Sequence, residues 1–165
     1  TVVDRLAVHD KPGALDDLGL GPALKALTED FAARTEIEVD FNTVVFRNRL
    51  DEDAKIALYR IAQEALTNIE RHAQASRVSV DLRGHRRGAT LRISDNGVGL
   101  PARVRQGASG LGLRNMQERV EQLDGQFRIL ASAGKNTGTV VEVTVPLTHL
   151  LPPEETTTTK DRARA

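Results

Sequence analysis

The sequence predicts an α+β fold, a two-layer sandwich whose mixed sheet is covered on one face by helices. Three observations predict it. Three stretches repeat apolar residues at helical spacing. The alternating strands come mostly in adjacent pairs, which suggests antiparallel hairpins rather than a doubly wound parallel sheet. A hydrophobic fraction of 39% in 165 residues supplies one core of domain size.

Residues 1–14 are mixed, and Pro12-Gly13 breaks any helix there. Leu20, Ala23, Leu24, Leu27 and Phe31 then recur at helical spacing, with Pro22 tolerable in a first turn, so a helix is expected over 20–34. Ile37, Val39 and Phe41 alternate with acidic residues as a half-buried strand. Asp51, Glu52 and Asp53 place acids at the positive end of the next helix. Its apolar stripe is Leu58, Ile61, Ala62, Ala65, Leu66, Ile69 and Ala73.

Val78, Val80 and Leu82, then Leu91 and Ile93, form a hairpin about a turn at 84–88. A glycine-rich loop follows over 96–112, holding five of the thirteen glycines, and a polar loop of that length is usually functional or disordered. Leu113 to Leu123 reads as a short helix stopped by Asp124-Gly125. Phe127, Ile129 and Ala131, then Val141, Val143 and Val145, complete the strands, with a turn over 134–138 and Pro146 as a stop. The expected organisation is a leading segment over 1–14, a domain over 15–147 and a disordered tail over 148–165. A chain that begins at Thr1 rather than Met reads as a fragment of something longer.

Composition excludes several classes. Lys+Arg and Asp+Glu are equal at 23 each, which disfavours nucleic acid as the main partner. The absence of cysteine removes disulfides and thiolate sites. No apolar run approaches the ~20 residues of a membrane-spanning helix, and no signal peptide is visible. This stretch is therefore expected to make no membrane contact. With four Phe, one Tyr and no Trp, stacking platforms for single strands are not expected. No two of His9, His72, His85 and His149 stand at metal-ligand spacing, so zinc is not expected.

Four places could carry chemistry. Arg60, Glu64, Asn68 and Arg71 fall on one row of the long helix, roughly opposite its apolar stripe. Glu64 and Asn68 together could hold a hydrated Mg²⁺, which takes few protein oxygens. The plain alternative is a solvated face with an Arg-Glu pair contributing about 0.3–0.5 kcal/mol. Asp95 continues the Leu91, Ile93 alternation, so its carboxylate projects to the core side, where it needs a partner. An adenine amino group is one such partner, and Gly97 and Gly99 allow close approach of a flat ligand. Asp95-Asn96-Gly97 is equally a turn signal. Gly110-Leu111-Gly112-Leu113 opens a helix, where free N–H groups suit phosphate. It is neither a Walker loop nor a good dinucleotide fingerprint. Thr139 shares the face of Val141, Val143 and Val145; it either joins the Asp95 site or caps the turn after Gly138. His72, at the end of the long helix, has a capping role as its default reading.

Taken in order, these motifs resemble the catalytic ATP-binding domain of sensor histidine kinases, the Bergerat or GHKL fold. The run Tyr59-Arg-Ile-Ala-Gln-Glu-Ala-Leu-Thr-Asn-Ile-Glu-Arg-His-Ala resembles the N box. Gly110-Leu-Gly-Leu-Arg-Asn-Met-Gln-Glu-Arg-Val is similar to the glycine motif of the NarL-linked subfamily, which includes NarX-, DesK- and LiaS-like kinases. Ala14-Leu-Asp-Asp-Leu-Gly-Leu is similar to the segment preceding its ATP domain.

The resemblance implies ATP and Mg²⁺ as ligands. It implies Asn68 on the metal, Glu64 supporting it, and Arg71 and His72 near phosphate. Asp95 would accept from the adenine amino group, Gly97 and Gly99 would shape the pocket, and Thr139 would complete the adenine site. Gly110, Leu111, Gly112 and Leu113 would fold over the triphosphate. The implied reaction is transfer of the ATP γ-phosphoryl to a histidine on a dimerisation domain of the parent chain, which then serves a NarL/LuxR-type response regulator in the cytoplasm. His9-Asp10 has the letters of the acceptor pair, but Lys11-Pro12-Gly13 follows and the helical context is missing. This stretch is therefore expected to bind ATP without efficient autophosphorylation. The alternative of the same fold is an anti-sigma-like serine kinase or ATP-binding regulator.

Overall fold

In the computed structural model, residues 19–44, 49–99, 112–131 and 138–152 are described. The expectations for 1–18, for Gly107, Gly110 and Leu111, for the turn at 134–137 and for 153–165 lie outside the described residues.

The first helix, α1 (Leu20–Thr35), buries Leu20, Ala23, Leu24 and Phe31 along the expected stripe. It leads into β1 (Glu38–Val44), whose Val39 and Phe41 are half-buried. The long helix is α2 (Glu52–Asn68). Its N-cap is Asp51, which accepts from the Ala54 N–H at 2.9 Å, an interaction contributing about 1 kcal/mol. The last turn changes winding: Ile69–Ala73 is a π-helix, and Gln74 closes it in the left-handed conformation.

The hairpin is β3 (Arg77–His85) with β4 (Gly88–Asp95). Its turn is tighter than the 84–88 expected. Gly84 stays in the ladder opposite Ala89, and only Arg86 and Arg87 lie between the strands. His85 Nε2 bonds Thr90 Oγ1 at 2.7 Å and holds the ladder to its end. Gly88 takes φ 141, and an added Cβ there would overlap the Val145 carbonyl.

The short helix, α3 (Leu113–Gln122), ends as expected at Asp124-Gly125. The Gly125 N–H reaches the Val120 carbonyl and the Asp124 N–H reaches that of Glu121, each at 3.0 Å, with Asp124 at φ 55. This is the Schellman pattern. The last long strands are β5 (Gln126–Ala131) and β6 (Thr139–Pro146).

The five strands run β1-β3-β4-β6-β5. β1 is parallel to β3, and every other pair is antiparallel, so the sheet is mixed. Period-two alternation turns Val78, Val80, Leu82, Leu91, Ile93, Val143 and Val145 toward the helices, all nearly fully buried. The opposite face carries a row of alternating charge across four strands: Asp81, Arg92, Glu142 and Arg128 sit side by side in register.

The expectation of a disordered tail over 148–165 is corrected for its first residues, 148–152. A 3-10 turn spans Leu147–His149, and Leu150–Leu151 (β7) pairs antiparallel with Arg49–Leu50 (β2). His149 is the reason this segment is held. Its Nδ1 meets Asp51 Oδ2 at 2.7 Å and its Nε2 meets the Leu123 carbonyl at 2.8 Å. A carboxylate and a carbonyl are both acceptors, so both ring nitrogens must donate, which only the imidazolium does. Burial opposes that charge. The hydrogen bonds to Asp51 and Leu123 and the charges of Asp51 and Asp53 outweigh it, and the His149 pKa rises above the ordinary 6.5.

A raised histidine pKa contributes stability that is fully present below the unfolded value and lost as pH rises through the native one. His149→Gln is therefore expected to cost about 1–3 kcal/mol near pH 6 and progressively less toward pH 9. Thermal unfolding of both forms across that range checks it; a pH-independent difference contradicts the charged staple.

Candidate functional site

The cleft forms where α2 and its π turn pass over one end of β4 and β6. Ile93 stands opposite Val141, and the next inward positions along the two strands are Asp95 and Thr139. Both polar residues are buried, Asp95 at 6% exposure and Thr139 at 7%. The other wall is Ala65, Asn68, Ile69, His72 and Ala73, and Gly99 and Leu113 close the rim. The cleft is narrow and opens to solvent at its mouth.

Asp95 is both buried and part of a turn. Its carboxylate points inward, and Oδ1 also accepts from the Gly97 N–H at 2.8 Å, an Asx turn. Burial pushes the carboxyl up from its usual range, and the backbone N–H groups of Gly97 and Thr139 bring it part of the way back. The result is a hydrogen-bond acceptor facing an apolar slot formed by Ala65, Ile69, Ala73, Ile93 and Val141. Such a slot suits a flat, mostly apolar ring that carries an amino donor.

Two glycines make this possible. An added Cβ at Gly97 would overlap the Ala73 carbonyl, and the Val98 N–H bonds that carbonyl at 2.8 Å. The loop after β4 is thus sewn to the end of the helix. An added Cβ at Gly138 would overlap the Asp95 carbonyl. Asn96 clamps the same turn from outside. Its Oδ1 accepts from the Ser76 and Arg77 N–H groups, each at 3.0 Å, and its Nδ2 donates to Ser76 Oγ at 2.9 Å.

The helix row divides. Asn68 and His72 line the cleft. Glu64 and Arg60 are half-buried rather than solvated, and they line a neighbouring groove with Asn115, Met116 and Arg119 of α3. Glu64 lies against Gly112, the N-cap of α3 at φ 70, where an added Cβ would overlap its carboxylate. Glu64 therefore stands between the helix row and the glycine motif. Arg71 departs from the expected row: it is exposed and does not line the cleft, because the π turn changes the rotation per residue beyond Asn68. Sequence reasoning missed the apolar floor as part of the site, since Ala65, Ile69, Ile93 and Val141 read only as core. It also missed Asn96, for which the Asp-Asn-Gly turn was the available signal.

The profile of the histidine kinase-, DNA gyrase B- and HSP90-like ATPase family matches residues 53–149, and the chain belongs to that family. The chain is 44% identical over 141 residues to the sensor histidine kinase MctS of Rhizobium johnstonii, covering 84% of this chain and 31% of MctS. It is 41% identical over 135 residues to the signal transduction histidine-protein kinase/phosphatase DegS of Brevibacillus brevis, covering 82% of this chain and 34% of DegS. The chain thus spans about a third of the length of these curated relatives. Solved structures share the fold. The mycobacterial sensor histidine kinase MprB superposes with a TM-score of 0.60 at 23% identity, over 79% of this chain and 95% of that one. The catalytic domain of the histidine kinase ThkA gives 0.62 at 14%, over 77% and 90%.

Gly138→Ala tests the close approach at the strand ends. The new methyl must displace backbone, so stability is expected to fall by about 1–3 kcal/mol in chemical denaturation. A variant as stable as the parent would show that β6 does not enter the site so tightly.

Proposed function

We propose that the cleft binds the adenine of ATP and that the domain is the catalytic ATP-binding part of a two-component sensor histidine kinase of the NarL-linked kind. One observation carries the reading: the buried Asp95 carboxylate faces a slot walled by aliphatic side chains, at the position where the family resemblance implies an adenine acceptor. The similarity to MctS and DegS supports the kinase class.

In this reading Asp95 accepts from the exocyclic amino group and Thr139 completes the polar edge. Ile69, Ala73, Ile93 and Val141 exclude water from the ring faces. Gly97 and Gly99 bring backbone close to the base. The phosphates extend toward Asn68, His72 and the N-terminus of α3 at Gly112 and Leu113, where first-turn N–H groups and the helix dipole favour anions. Arg71, exposed at the edge of the same turn, and Gly110 and Leu111 would join the phosphate end.

The donor set fits a magnesium ion that arrives with its nucleotide. Among the described residues no three His, Asp or Glu cluster as a metal cage. Mg²⁺ takes few protein oxygens beside phosphate oxygens, and the Asn68 amide oxygen is the ligand offered at the cleft, with Glu64 one turn away. When bound, the ion neutralises charge that develops on the phosphoryl oxygens. The protein's own contribution is to hold the nucleotide in register for a histidine on the dimerisation domain of the parent chain. A NarL/LuxR-type response regulator would then take the phosphoryl group in the cytoplasm.

Asp95→Ala should weaken ADP binding about 10- to 100-fold, the loss of a hydrogen bond to a charged acceptor, with the fold retained by circular dichroism. Unchanged calorimetric affinity would remove the adenine assignment. Asn68→Ala should abolish the gain in ATP affinity that Mg²⁺ confers. Titrations with and without Mg²⁺ that still differ in this variant would show that the metal lies elsewhere.

A further inference from the structure

The wall of the cleft that carries Asn68 and His72 depends on an unusual turn. In an α-helix four residues overshoot a full turn by about 40°, so a straight continuation would carry Ala73 about 80° round from Ala65. Yet Ala65, Ile69 and Ala73 all line the cleft, as do Asn68 and His72. The π turn over Ile69–Ala73 accounts for this, because its wider winding takes back the overshoot. It also presents the Ala73 carbonyl to the Val98 N–H, the bond that joins the helix wall to the turn after Asp95.

A π turn is a rare winding, found mostly at functional sites. Among the described residues, Glu70 is the only side chain of the segment that carries a hydrogen bond or ion pair. Its carboxylate holds Arg34 Nη1 between both oxygens, at 2.8 and 2.7 Å. Arg34 lies in the last turn of α1, and its guanidinium stands 6.0 Å from the ring centroid of the buried Phe31. The ring thus lies beside the cation that Glu70 holds. The bridge spans 36 residues of sequence and ties the π turn to a helix that does not touch the cleft.

We propose that Arg34 and Glu70 are positioning residues for nucleotide: their bridge holds the π turn, and through it the spacing of Asn68, His72 and the Asp95 turn. The inference rests on the nucleotide reading for its effect on affinity, while its structural half stands without it. Both side chains are largely exposed, at 54% and 38%, so the bridge contributes little to global stability. Its signature is therefore a change in cleft geometry at nearly constant thermal midpoint.

The test uses the full chain with Arg34→Ala, Glu70→Ala and the double variant Arg34→Ala/Glu70→Ala. Amide exchange at Val98 is followed by NMR without nucleotide, and ADP affinity by calorimetry. Each single variant is expected to speed Val98 exchange and weaken ADP binding by about 2- to 5-fold, the range an exposed ion pair can supply, and the double variant is expected to lose no more than either single one. Val98 exchange unchanged in the single variants overturns the proposal. So do losses in the two single variants that add up in the double variant, since two residues acting through one bridge cannot be additive. Failure of the parent chain to bind ADP would sink the nucleotide reading instead, and Val98 exchange would still decide the clamp.

Discussion

A carboxylate kept inside an apolar slot is the constraint around which this fold is arranged. An unpaired buried charge is costly, and Asp95 meets that cost only in part, through the backbone N–H groups of Gly97 and Thr139. The remaining acceptor capacity faces the cleft. Everything near it serves that placement. The β4 register turns Asp95 inward, Gly138 lets β6 pass against its backbone, and Asn96 pins the turn so that Gly97 can reach Oδ1. A side chain at Gly97 would push the two walls apart, and one at Gly138 would push β6 from the end of β4.

The opposite wall is held by different means. The sheet side is fixed by ladders of backbone hydrogen bonds, whereas the helix side ends in a π turn secured from outside by one ion pair and from inside by one backbone bond. Local stability is uneven in consequence. The strand wall is the rigid reference, and the helix wall is the part whose geometry a small change can alter. The charged staple of His149 on Asp51 and Leu123 secures the far end of α2, so the long helix is anchored at its start and adjustable at its finish.

Much of this was legible in the residues. The stripe of α2 and the alternation of β3, β4 and β6 follow from apolar periodicity, because each element buries one face against one layer. The inward phase of Asp95 follows from period two alone. Asp51 as a cap and Asp124-Gly125 as a stop are local chemistry and were equally readable. What could not be read depends on distant partners. The β2–β7 pair and the His149 staple join segments 98 residues apart in the case of Asp51 and His149, and no local pattern encodes such a meeting. The π turn is not legible either, since Ile69 to Ala73 has ordinary helical composition and the groups that bond it, the Val98 N–H and Arg34, lie far along the chain. That is why Arg71 was placed on a row it does not share.

The most direct measurement is a crystal structure of the chain with a non-hydrolysable ATP analogue and Mg²⁺. The purine should lie between Ile69 and Val141 with its amino group hydrogen-bonded to the Asp95 carboxylate, and the phosphates should run toward Asn68 and Gly112. A nucleotide seated elsewhere, for instance on the open polar face of the sheet by Arg83 and Arg92, with Asp95 left untouched, would contradict the account.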